Sequence, residues 1–368
     1  MHAVAAPLAL HIFPSFRVGG AQVRFAAIAN HYGAAYRHIV FAMDGNYACG
    51  ARLAPTLSIA YPEFRMAKGT WLRNARRFHR ALNRMRPDVL LTYNWGSIEW
   101  VVANAAANVR HIHIEDGFGP EERDNQLPRR IWMRRLFLRH ATVVLPSRSL
   151  WRIATESWRL DPKRLRYVPN GIDLTRFGRA SASARPLFCS GAVPIVGTVA
   201  ALRDEKNLGR LLRAFRLLER PARLVIVGDG PARASLEVLV ANLGLAGQVY
   251  FTGHIVDPAP LYHAFDVFAL SSDTEQMPIS VLEAMAAGLP VASTDVGDVR
   301  EMVASENTPF ITAREDGALA RVIESLLDAP EAARAIGVAN RTKAERDYDQ
   351  HIMFRAYAEL LDGAPAAP

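Results

Sequence analysis

The stretch EQMPISVLE, residues 275–283, which continues as AMAAGLPVASTDVGD, sets two carboxylates eight residues apart, those of Glu275 and Glu283. Glu275 falls in the loop after an apolar strand, VFAL, and Glu283 falls inside the helix that this loop enters. The loop and the first helical turn bring both acids towards the helix N-terminus, where free backbone N–H groups and the positive end of the dipole favour a phosphate. Carboxylates are poor phosphate ligands, so we expect them to bind hydroxyls, one of a sugar and one of a ribose. This combination predicts a sugar-nucleotide pocket.

Short apolar runs alternate with longer helical patterns along the chain, which predicts an α/β fold with parallel sheets. A length of 368 residues is typical of two domains, each able to bury its own core. The small, polar segment GRASASARP, residues 178–186, is the expected interdomain linker. The predicted strands are LALHIF, HIVFAM, LSIAY, DVLLTY, RHIHIED and TVVLPS in the first half and PIVGTVA, RLVIVGD, QVYFTG, VFALS, PVASTD and TPFIT in the second, with RLLRAFRLLER and ASLEVLVANLGL among the predicted helices.

Composition restricts the compartment in which the protein is expected to work. Its two cysteines, Cys49 and Cys189, are far apart in sequence, which favours a reducing compartment and no disulfide framework. The N-terminus lacks a basic start and leads directly into a strand, so we predict no signal peptide. The sequence also lacks an apolar run of about eighteen residues that could span a membrane. We therefore expect a cytoplasmic protein.

Positive charge is concentrated in the first half of the chain. Residues 1–185 contain 28 Lys and Arg against 12 Asp and Glu, whereas residues 186–368 contain 16 against 24. A basic face of this kind suits an anionic membrane surface or a lipid-diphosphate acceptor, with a merely solvated helix face as the alternative. Nucleic acid is not an expected partner, because no known binding module accompanies the arginines. The two basic segments are LPRRIWMRRLFLRH (127–140) and the predicted helix within 70–88 whose one face carries Arg73, Arg76, Arg77, Arg80 and Arg84.

Five motifs in a fixed order resemble the retaining glycosyltransferases of family 4, which have the GT-B fold. The resemblance is most specific from about Val168 to Val299 and is looser in the first half, where a Gly19-Gly20 loop carries it. The motifs are VPNGID (168–173), GTVAALRDEKNL (197–208), LVIVGDGP (224–231), VYFTGH (249–254) and the acidic motif Glu275-x7-Glu283 with Ala284-Met285-Ala286, Gly288 and Pro290 after it.

The resemblance implies two Rossmann-like, doubly wound parallel-sheet domains that face a cleft. It also implies that the last helix crosses back onto the first domain. We therefore expect an N-terminal acceptor-side domain over residues 1–178, completed by residues 346–368, and a C-terminal domain over residues 179–345 that binds the nucleotide sugar. The active site is expected in the cleft, at the carboxyl ends of both sheets.

By the resemblance, the donor diphosphate is held by Lys206, which lies in the loop after the strand GTVAAL. Relatives usually carry an arginine five residues before this lysine, where this chain has Ala201. Arg203 is the expected substitute, with a basic residue of the other domain as the alternative. Glu283 is expected to bind the ribose hydroxyls. The remaining residues expected to bind the donor are Ile279 and Ser280, through their backbone N–H groups, and Gly20, Gly253 and Ile255.

Three residues are the catalytic candidates. The family pattern places Glu275 against the donor sugar, where its charge would support an oxocarbenium-like transition state. The strand end RHIHIED brings His111, His113 and Glu115 to one face, with Asp116 just beyond. We prefer His113 near the donor sugar and Asp116 or Glu115 on the acceptor hydroxyl. A zinc site built on His-x-His and a histidine simply packed in the sheet remain the alternatives.

Two further patterns bear on cofactors. VGDGP (227–231) has Gly-x-Gly but no third glycine, so Gly228 and Gly230 are interpreted as a structural turn and not as a dinucleotide site. The only Asp-x-Asp, Asp347-Tyr348-Asp349, is predicted inside the terminal helix, away from any strand end. We therefore expect no metal ion and no cofactor, only a nucleoside-diphosphate sugar as donor.

The sequence thus predicts a metal-independent, retaining hexosyltransferase. Its donor is expected to be UDP-linked, and its acceptor a saccharide or lipid-linked molecule in the assembly of a cell-surface polysaccharide or lipopolysaccharide. We expect it in the cytoplasm, at the inner face of the membrane. Two alternatives remain: a sugar-nucleotide epimerase of the same fold and a catalytically silent nucleotide-binding subunit.

Overall fold

The computed structural model describes residues 6–62, 71–118, 120–122, 126–178 and 193–363. The chain divides into two compact units. The first unit comprises Met1–Pro169 and Met353–Pro368, and the second unit comprises Asn170–Ile352. Most of the expected linker, from residue 179 onward, lies outside the described residues.

The first unit is built on a seven-stranded sheet in which every strand pairs in parallel with its neighbours. The strand order is β3-β2-β1-β4-β5-β6-β7. Apolar side chains fill both faces of the central strands, as expected of a parallel sheet covered by helices. The strands are β1 (Leu8–Phe13), β2 (Arg37–Ala42), β3 (Ile59–Ala60), β4 (Val89–Tyr93), β5 (His111–Ile114), β6 (Thr142–Leu145) and β7 (Leu165–Tyr167).

The second unit is built on a six-stranded parallel sheet in the order β10-β9-β8-β11-β12-β13. This is the strand order of a Rossmann fold. The strands are β8 (Ile195–Val199), β9 (Arg223–Val227), β10 (Val249–Gly253), β11 (Val267–Leu270), β12 (Val291–Thr294) and β13 (Ile311–Thr312).

Helices connect the strands, and no helix in the described ranges is both long and apolar enough to cross a membrane. The first unit contains α1 (Gly20–Tyr32), α2 (Trp71–Met85), α3 (Ile98–Ala107), α4 (Pro128–Phe137) and α5 (Arg148–Glu156). The second contains α6 (Leu174–Gly178), α7 (Leu208–Arg216), α8 (Arg233–Asn242), α9 (Ala259–Tyr262), α10 (Ile279–Ala286), α11 (Val299–Met302), α12 (Asp316–Asp328) and α13 (Pro330–Asp347), and α14 (Gln350–Asp362) follows.

The predicted α/β class with two doubly wound parallel sheets is confirmed, but two details of the sequence interpretation are wrong. The three-residue edge strand β7 was not expected, because LRY is too short and too polar to stand out as a strand. Asp347-x-Asp349 does not lie within the terminal helix: Asp347 ends α13, and Asp349 precedes α14, where its carboxylate accepts a hydrogen bond from the N–H of His351 at 2.8 Å.

In each sheet the strand order reverses beside the first strand of the unit. The reversal lies between β1 and β4 in the first unit and between β8 and β11 in the second. At such a point the loops leave the carboxyl ends of two neighbouring strands in opposite directions and open a crevice for a ligand. Each unit therefore has one position where its topology favours a binding site.

Candidate active site

At the reversal of the second sheet, the loops after β8 and β11 bring Lys206 and Glu275 into contact. The Lys206 Nζ lies 2.6 Å from Glu275 Oε1, and the Ser272 hydroxyl donates to the same oxygen at 2.7 Å. The lysine side chain is 24% exposed and the glutamate side chain 10%. A lysine ammonium has three N–H bonds, so a second anionic group can bind it while the ion pair persists.

The two loops are tied together by a group that the sequence interpretation missed, centred on Asp273. Its carboxylate accepts hydrogen bonds from Asn207 at 3.1 and 3.2 Å and pairs with Arg210 at 2.7 Å. Arg210 also donates to the carbonyl of Ser271 at 2.8 Å. Asn207 caps the start of α7 directly after Lys206, so this clasp fixes the lysine relative to the loop that carries Glu275.

The loop after β11 leads into α10, which begins at Ile279 after Pro278. The first N–H groups of a helix have no acceptor within it, so those of Ile279 and Ser280 can bind an anion, aided by the helix dipole. Asn170 anchors the entry to this helix, because its side chain donates to the carbonyl of Met277 at 3.1 Å.

Glu283 lies one turn further along α10, where it is partly enclosed. Its Oε2 accepts a hydrogen bond of 2.5 Å from the hydroxyl of Tyr262, a residue buried at the end of α9. Withdrawal from water raises the pKa of the Glu283 carboxyl to about 7, although the Tyr262 hydrogen bond and the nearby Arg176 act in the opposite direction. The carboxyl therefore changes its charge close to neutral pH.

Gly297 holds the backbone of the Glu275 loop in place. A Cβ at this position would lie 2.6 Å from the carbonyl oxygen of Glu275 and 2.5 Å from that of Gln276, and the backbone has φ +55°. The N–H of Asp298 donates to the carbonyl of Gln276 at 2.9 Å. Only glycine fits this close approach without displacing the loop.

The other expected donor residues lie at the same edge of the second sheet. Arg203 is 46% exposed and pairs with Glu205 at 3.8 Å. Gly253 ends β10 with φ +73°, and Ile255, two residues later, is 36% exposed.

The interpretation of VGDGP as a structural turn agrees with its packing. A Cβ on Gly228 would lie 2.0 Å from the carbonyl oxygen of Ala200, and one on Gly230 would lie 2.4 Å from that of Leu202. These glycines therefore let the turn pack against the loop that leads to Lys206.

In the first unit, Thr92 links two histidines of β5. Its hydroxyl lies 2.8 Å from Nε2 of His111 and 2.8 Å from Nδ1 of His113, so both imidazoles share one face of the sheet, as the alternation predicts. His113 is 1% exposed, and its Nε2 lies 3.5 Å from Glu115 Oε2. Burial, with a smaller effect of His113, lowers the pKa of His111 to about 3.

Glu115 belongs to a buried ionic network that the sequence did not reveal. Arg134 donates to Glu115 at 3.3 Å and to both oxygens of Glu122 at 3.1 Å, and its guanidinium lies within 5.3 Å of the ring centroids of Trp95, Phe118 and Trp158. Burial acts to raise the pKa of Glu122, but hydrogen bonds from Arg134 and Arg130 outweigh it and lower the pKa. Glu122 therefore remains ionised.

Asp116 lies just beyond β5 and pairs with Arg24 of α1. The guanidinium reaches both carboxylate oxygens, at 2.7 and 2.8 Å, and Asp116 remains 18% exposed. Its N–H donates to the side chain of Asn94 at 2.7 Å, and Asn94 follows β4 with φ +54°. Gly20, which is exposed, begins α1, so loops from both strands at the reversal contribute to this position.

Among the predicted site residues, the direct contact is that between Lys206 and Glu275, and the others are related through the elements that carry them. Lys206 contacts Glu275 directly, Glu283 shares a helix with Ile279 and Ser280, and Asp116 follows the strand of His113. Within the described ranges no group of three or more His, Cys, Asp or Glu could hold a metal ion.

Two family models match consecutive parts of the chain. The model described as Glycosyltransferase Family 4 matches residues 18–176, and that described as Glycosyl transferases group 1 matches residues 189–343. Together they cover most of both units, including Asp116 in the first and the acidic motif in the second.

Comparison with individual proteins agrees. A GDP-mannose-dependent alpha-(1-6)-phosphatidylinositol monomannoside mannosyltransferase of Mycolicibacterium smegmatis is 33% identical over 54% of this chain and 56% of its own length. The amylovoran biosynthesis glycosyltransferase AmsK of Erwinia amylovora is 26% identical over 62% of this chain and 58% of its own length. The match thus spans little more than half of each relative.

The crystal structure of Anabaena Alr3699/HepE in complex with UDP and glucose has a TM-score of 0.83 at 20% sequence identity, covering 97% of this chain and 100% of that one. The expected GT-B fold class is thereby confirmed.

Proposed function

Because the chain belongs to the group 1 glycosyltransferases of family 4, we propose that it transfers a hexose from a nucleoside-diphosphate sugar to a saccharide or lipid-linked acceptor. The transfer retains the anomeric configuration and uses no metal ion. The reaction takes place in the cytoplasm and contributes to the assembly of a cell-surface polysaccharide or glycolipid. The Mycolicibacterium and Erwinia relatives, named for a mannosylated lipid and an amylovoran, support this class of product.

The observation that carries the proposal is the Lys206–Glu275 contact at the strand reversal, in the loops that lead into α7 and α10. The lysine ammonium and the N–H groups of Ile279 and Ser280 would bind the diphosphate. Arg203 would add a second cation, and these positive groups would take the place of a divalent ion. Glu283 would hold the ribose hydroxyls, with Gly253 and Ile255 against the rest of the donor.

In the proposed reaction, the bond between the anomeric carbon and the diphosphate oxygen breaks, and its electron pair leaves with the diphosphate. An acceptor oxygen bonds to the anomeric carbon on the same face, and its proton departs with the diphosphate. Lys206 stabilises the charge that develops on the leaving group, while the carboxylate of Glu275 stabilises the positive charge on the sugar ring.

On the acceptor side, Asp116 is our candidate for the residue that binds the acceptor hydroxyl, because it is accessible and its orientation is fixed by Arg24. His113 is buried and lies 3.5 Å from Glu115, so we assign it a positioning role at the end of β5, on the side of the donor sugar. The role proposed for Asp116 is catalytic and that proposed for His113 is positioning, so variants of the two residues can test them separately.

We propose UDP as the nucleotide of the donor. The similarly folded Anabaena protein was crystallised with UDP and glucose, whereas the Mycolicibacterium relative is GDP-mannose-dependent. Uridine and guanosine diphosphates are therefore the two nucleotides that must be compared.

We also propose that the first unit binds an anionic membrane surface. On α2, Phe78 and Leu82 are buried, whereas Arg73, Arg76, Arg80 and Arg84 are exposed and Arg77 is partly buried. An exposed row of arginines on an amphipathic helix suits anionic headgroups. Sedimentation with vesicles of phosphatidylglycerol and of phosphatidylcholine tests this, since binding to both or to neither would contradict it.

The function is tested by thermal shift with UDP, GDP, ADP and NAD in the presence of EDTA, followed by product analysis. A ligand at a hundred times its Kd should stabilise the protein by about 2.7 kcal/mol. Stabilisation by UDP alone, without metal, is the expected result. Stabilisation by GDP alone would overturn the assignment of uridine but not of the transferase class.

Glu275→Ala provides the second test. We expect it to abolish sugar transfer while nucleotide binding stays nearly intact, because in the proposed reaction the carboxylate acts on the sugar, whereas Lys206 and the N–H groups at the start of α10 bind the phosphates. Unchanged turnover would remove Glu275 from the mechanism. Interconversion of a UDP-sugar without acceptor would favour an epimerase, and binding without any turnover would favour a silent subunit.

A further inference from the structure

Tyr262 is a fully buried tyrosine whose ring is fixed by three phenylalanines. Its centroid lies 5.6 Å from that of Phe177, 5.8 Å from that of Phe265 and 5.8 Å from that of Phe268. Tyr262 itself is 0% exposed. Because the ring cannot turn without disturbing this cluster, the direction of its hydroxyl is set by packing.

The hydroxyl points at Glu283. It lies 2.5 Å from Glu283 Oε2 and 3.4 Å from the carbonyl oxygen of Ser280, so its single proton is donated to the carboxylate. Burial raises the pKa of Tyr262 well above its ordinary value, and the nearby Glu283 adds to this effect. The tyrosine therefore stays protonated throughout the physiological pH range and can donate to the ionised carboxylate.

We propose that Tyr262 is a positioning residue for donor binding. Its hydroxyl holds Oε2 of Glu283 and thereby turns Oε1 towards a ribose hydroxyl of the nucleotide. This proposal rests on the role of Glu283 given under the proposed function, and it adds that the ribose contact depends on a residue that never touches the donor.

The two charged residues that act on Glu283 have opposite charges and pair with each other. Arg176 and Asp257 act on it with opposite signs, and they pair with each other at 2.6 Å while remaining 40% and 56% exposed. On α13, which packs against α10, Arg341 pairs instead with Glu345 at 2.9 Å. Tyr262 is thus the buried polar group that favours the ionised form of Glu283.

A pH dependence follows from the geometry. A ribose hydroxyl donates a stronger hydrogen bond to an ionised carboxylate than to a neutral carboxyl group, so protonation of Glu283 weakens this contact. Nucleotide affinity should therefore rise with pH, with a midpoint near 7, the value to which the pKa of Glu283 is raised. Tyr262→Phe removes a hydrogen bond that stabilises the ionised form, so the midpoint should move to higher pH.

The experiment is a calorimetric titration of the full chain with UDP or GDP, whichever binds, between pH 6 and pH 9. For Tyr262→Phe we expect a loss of affinity of about tenfold at pH 7 that largely disappears at pH 9. Pyrophosphate is the internal control: it lacks a ribose, so the variant should bind it as the unmodified protein does at every pH.

A matched variant separates positioning from packing. Phe177→Leu keeps the hydroxyl but loosens the cluster that directs it, so it should lower Tm while moving the pH midpoint less than Tyr262→Phe does. A Tyr262→Phe protein with an unchanged midpoint, or with equal losses for nucleotide and pyrophosphate, would overturn the proposal. Failure of every nucleoside diphosphate to bind the unmodified protein would instead overturn the proposed function.

Discussion

Arg210 pairs with Asp273 at 2.7 Å and thereby joins the loop that carries Lys206 to the loop that carries Glu275. The pair is largely enclosed, at 10% and 18% exposure. Distances between catalytic groups must be maintained to a fraction of an ångström for efficient catalysis. We therefore expect this clasp to support the proposed site without touching a substrate.

Asp273→Ala tests the clasp. It leaves Arg210 without its carboxylate and Asn207 without its acceptor, so we expect a fall in turnover of about tenfold and a loss of stability of about 1–3 kcal/mol. Asp316→Ala is the control, because it removes an exposed ion pair with Arg213, which lies on α7 as Arg210 does. Its loss of stability should be less than about 1 kcal/mol. Equal effects of the two substitutions on turnover would contradict the clasp.

Gly297→Ala should damage activity through the backbone. The added Cβ would meet the carbonyl oxygens of Glu275 and Gln276 at 2.6 and 2.5 Å, so the loop must move. We expect turnover to fall by about a hundredfold, as is typical of a displacement near 1 Å. Gly244→Ala has a similar positive φ, +68°, but no atom within 4 Å, and it should show only the backbone strain in thermal unfolding. Full activity of Gly297→Ala would show that the loop can adapt.

The buried Arg134 should be important for the stability of the first unit. Arg134→Met leaves Glu115 and Glu122 without this partner, and we expect a loss of about 3–5 kcal/mol in urea unfolding. Arg135→Met, at the exposed neighbouring position, should change stability by less than about 0.5 kcal/mol. Similar urea midpoints for the two variants would show that the network contributes little.

Acid should destabilise the protein through its buried histidines. Burial lowers the pKa of His38 to about 4 and, with a smaller effect of His113, that of His111 to about 3. In the unfolded chain these imidazoles titrate near 6.5, so below that pH the unfolded state binds protons that the folded state does not. Stability should therefore fall as the pH drops from about 6.5 towards 4, by up to about 1.4 kcal/mol per pH unit for each histidine.

His38→Asn provides the check on this prediction. The amide can still contact His11, whose Nε2 lies 3.1 Å from Nδ1 of His38, but it does not titrate. Urea unfolding at several pH values should give a slope against pH that is smaller by the contribution of one histidine. An unchanged slope would mean that His38 is not a source of the acid sensitivity.

Sequence periodicity was sufficient for the framework. The run LALHIF coincides with β1 at both ends, and alternation correctly places His111 and His113 on one face of β5. It did not predict β7, because three residues are too few to show an alternation of apolar and polar side chains. Periodicity predicts a strand where burial alone determines which residues occur, and it does not identify short edge strands.

The site was predictable only in part, for a related reason. The Glu275-x7-Glu283 spacing identifies both carboxylates, because loop and helix place them near one end of α10. Tyr262, which donates to Glu283, and Asp273, which ties the Glu275 loop to Asn207 and Arg210, act through contacts across the fold. Nothing in their local sequence distinguishes them from ordinary core or loop residues. Asn207 could have been identified from the sequence. It lies directly after Lys206 and directly before a predicted helix, a position typical of a helix N-cap.

The helix α14 determines the order in which the two units can be completed during synthesis. Its residues Met353, Phe354, Tyr357 and Leu361 belong to the same core as Phe13 and Phe25 of the first unit. The second unit ends at Ile352, so the four core residues of that helix, from Met353 onward, are synthesised after it. The core of the first unit therefore remains incomplete until the whole second unit has been synthesised, although most of the first unit is translated earlier.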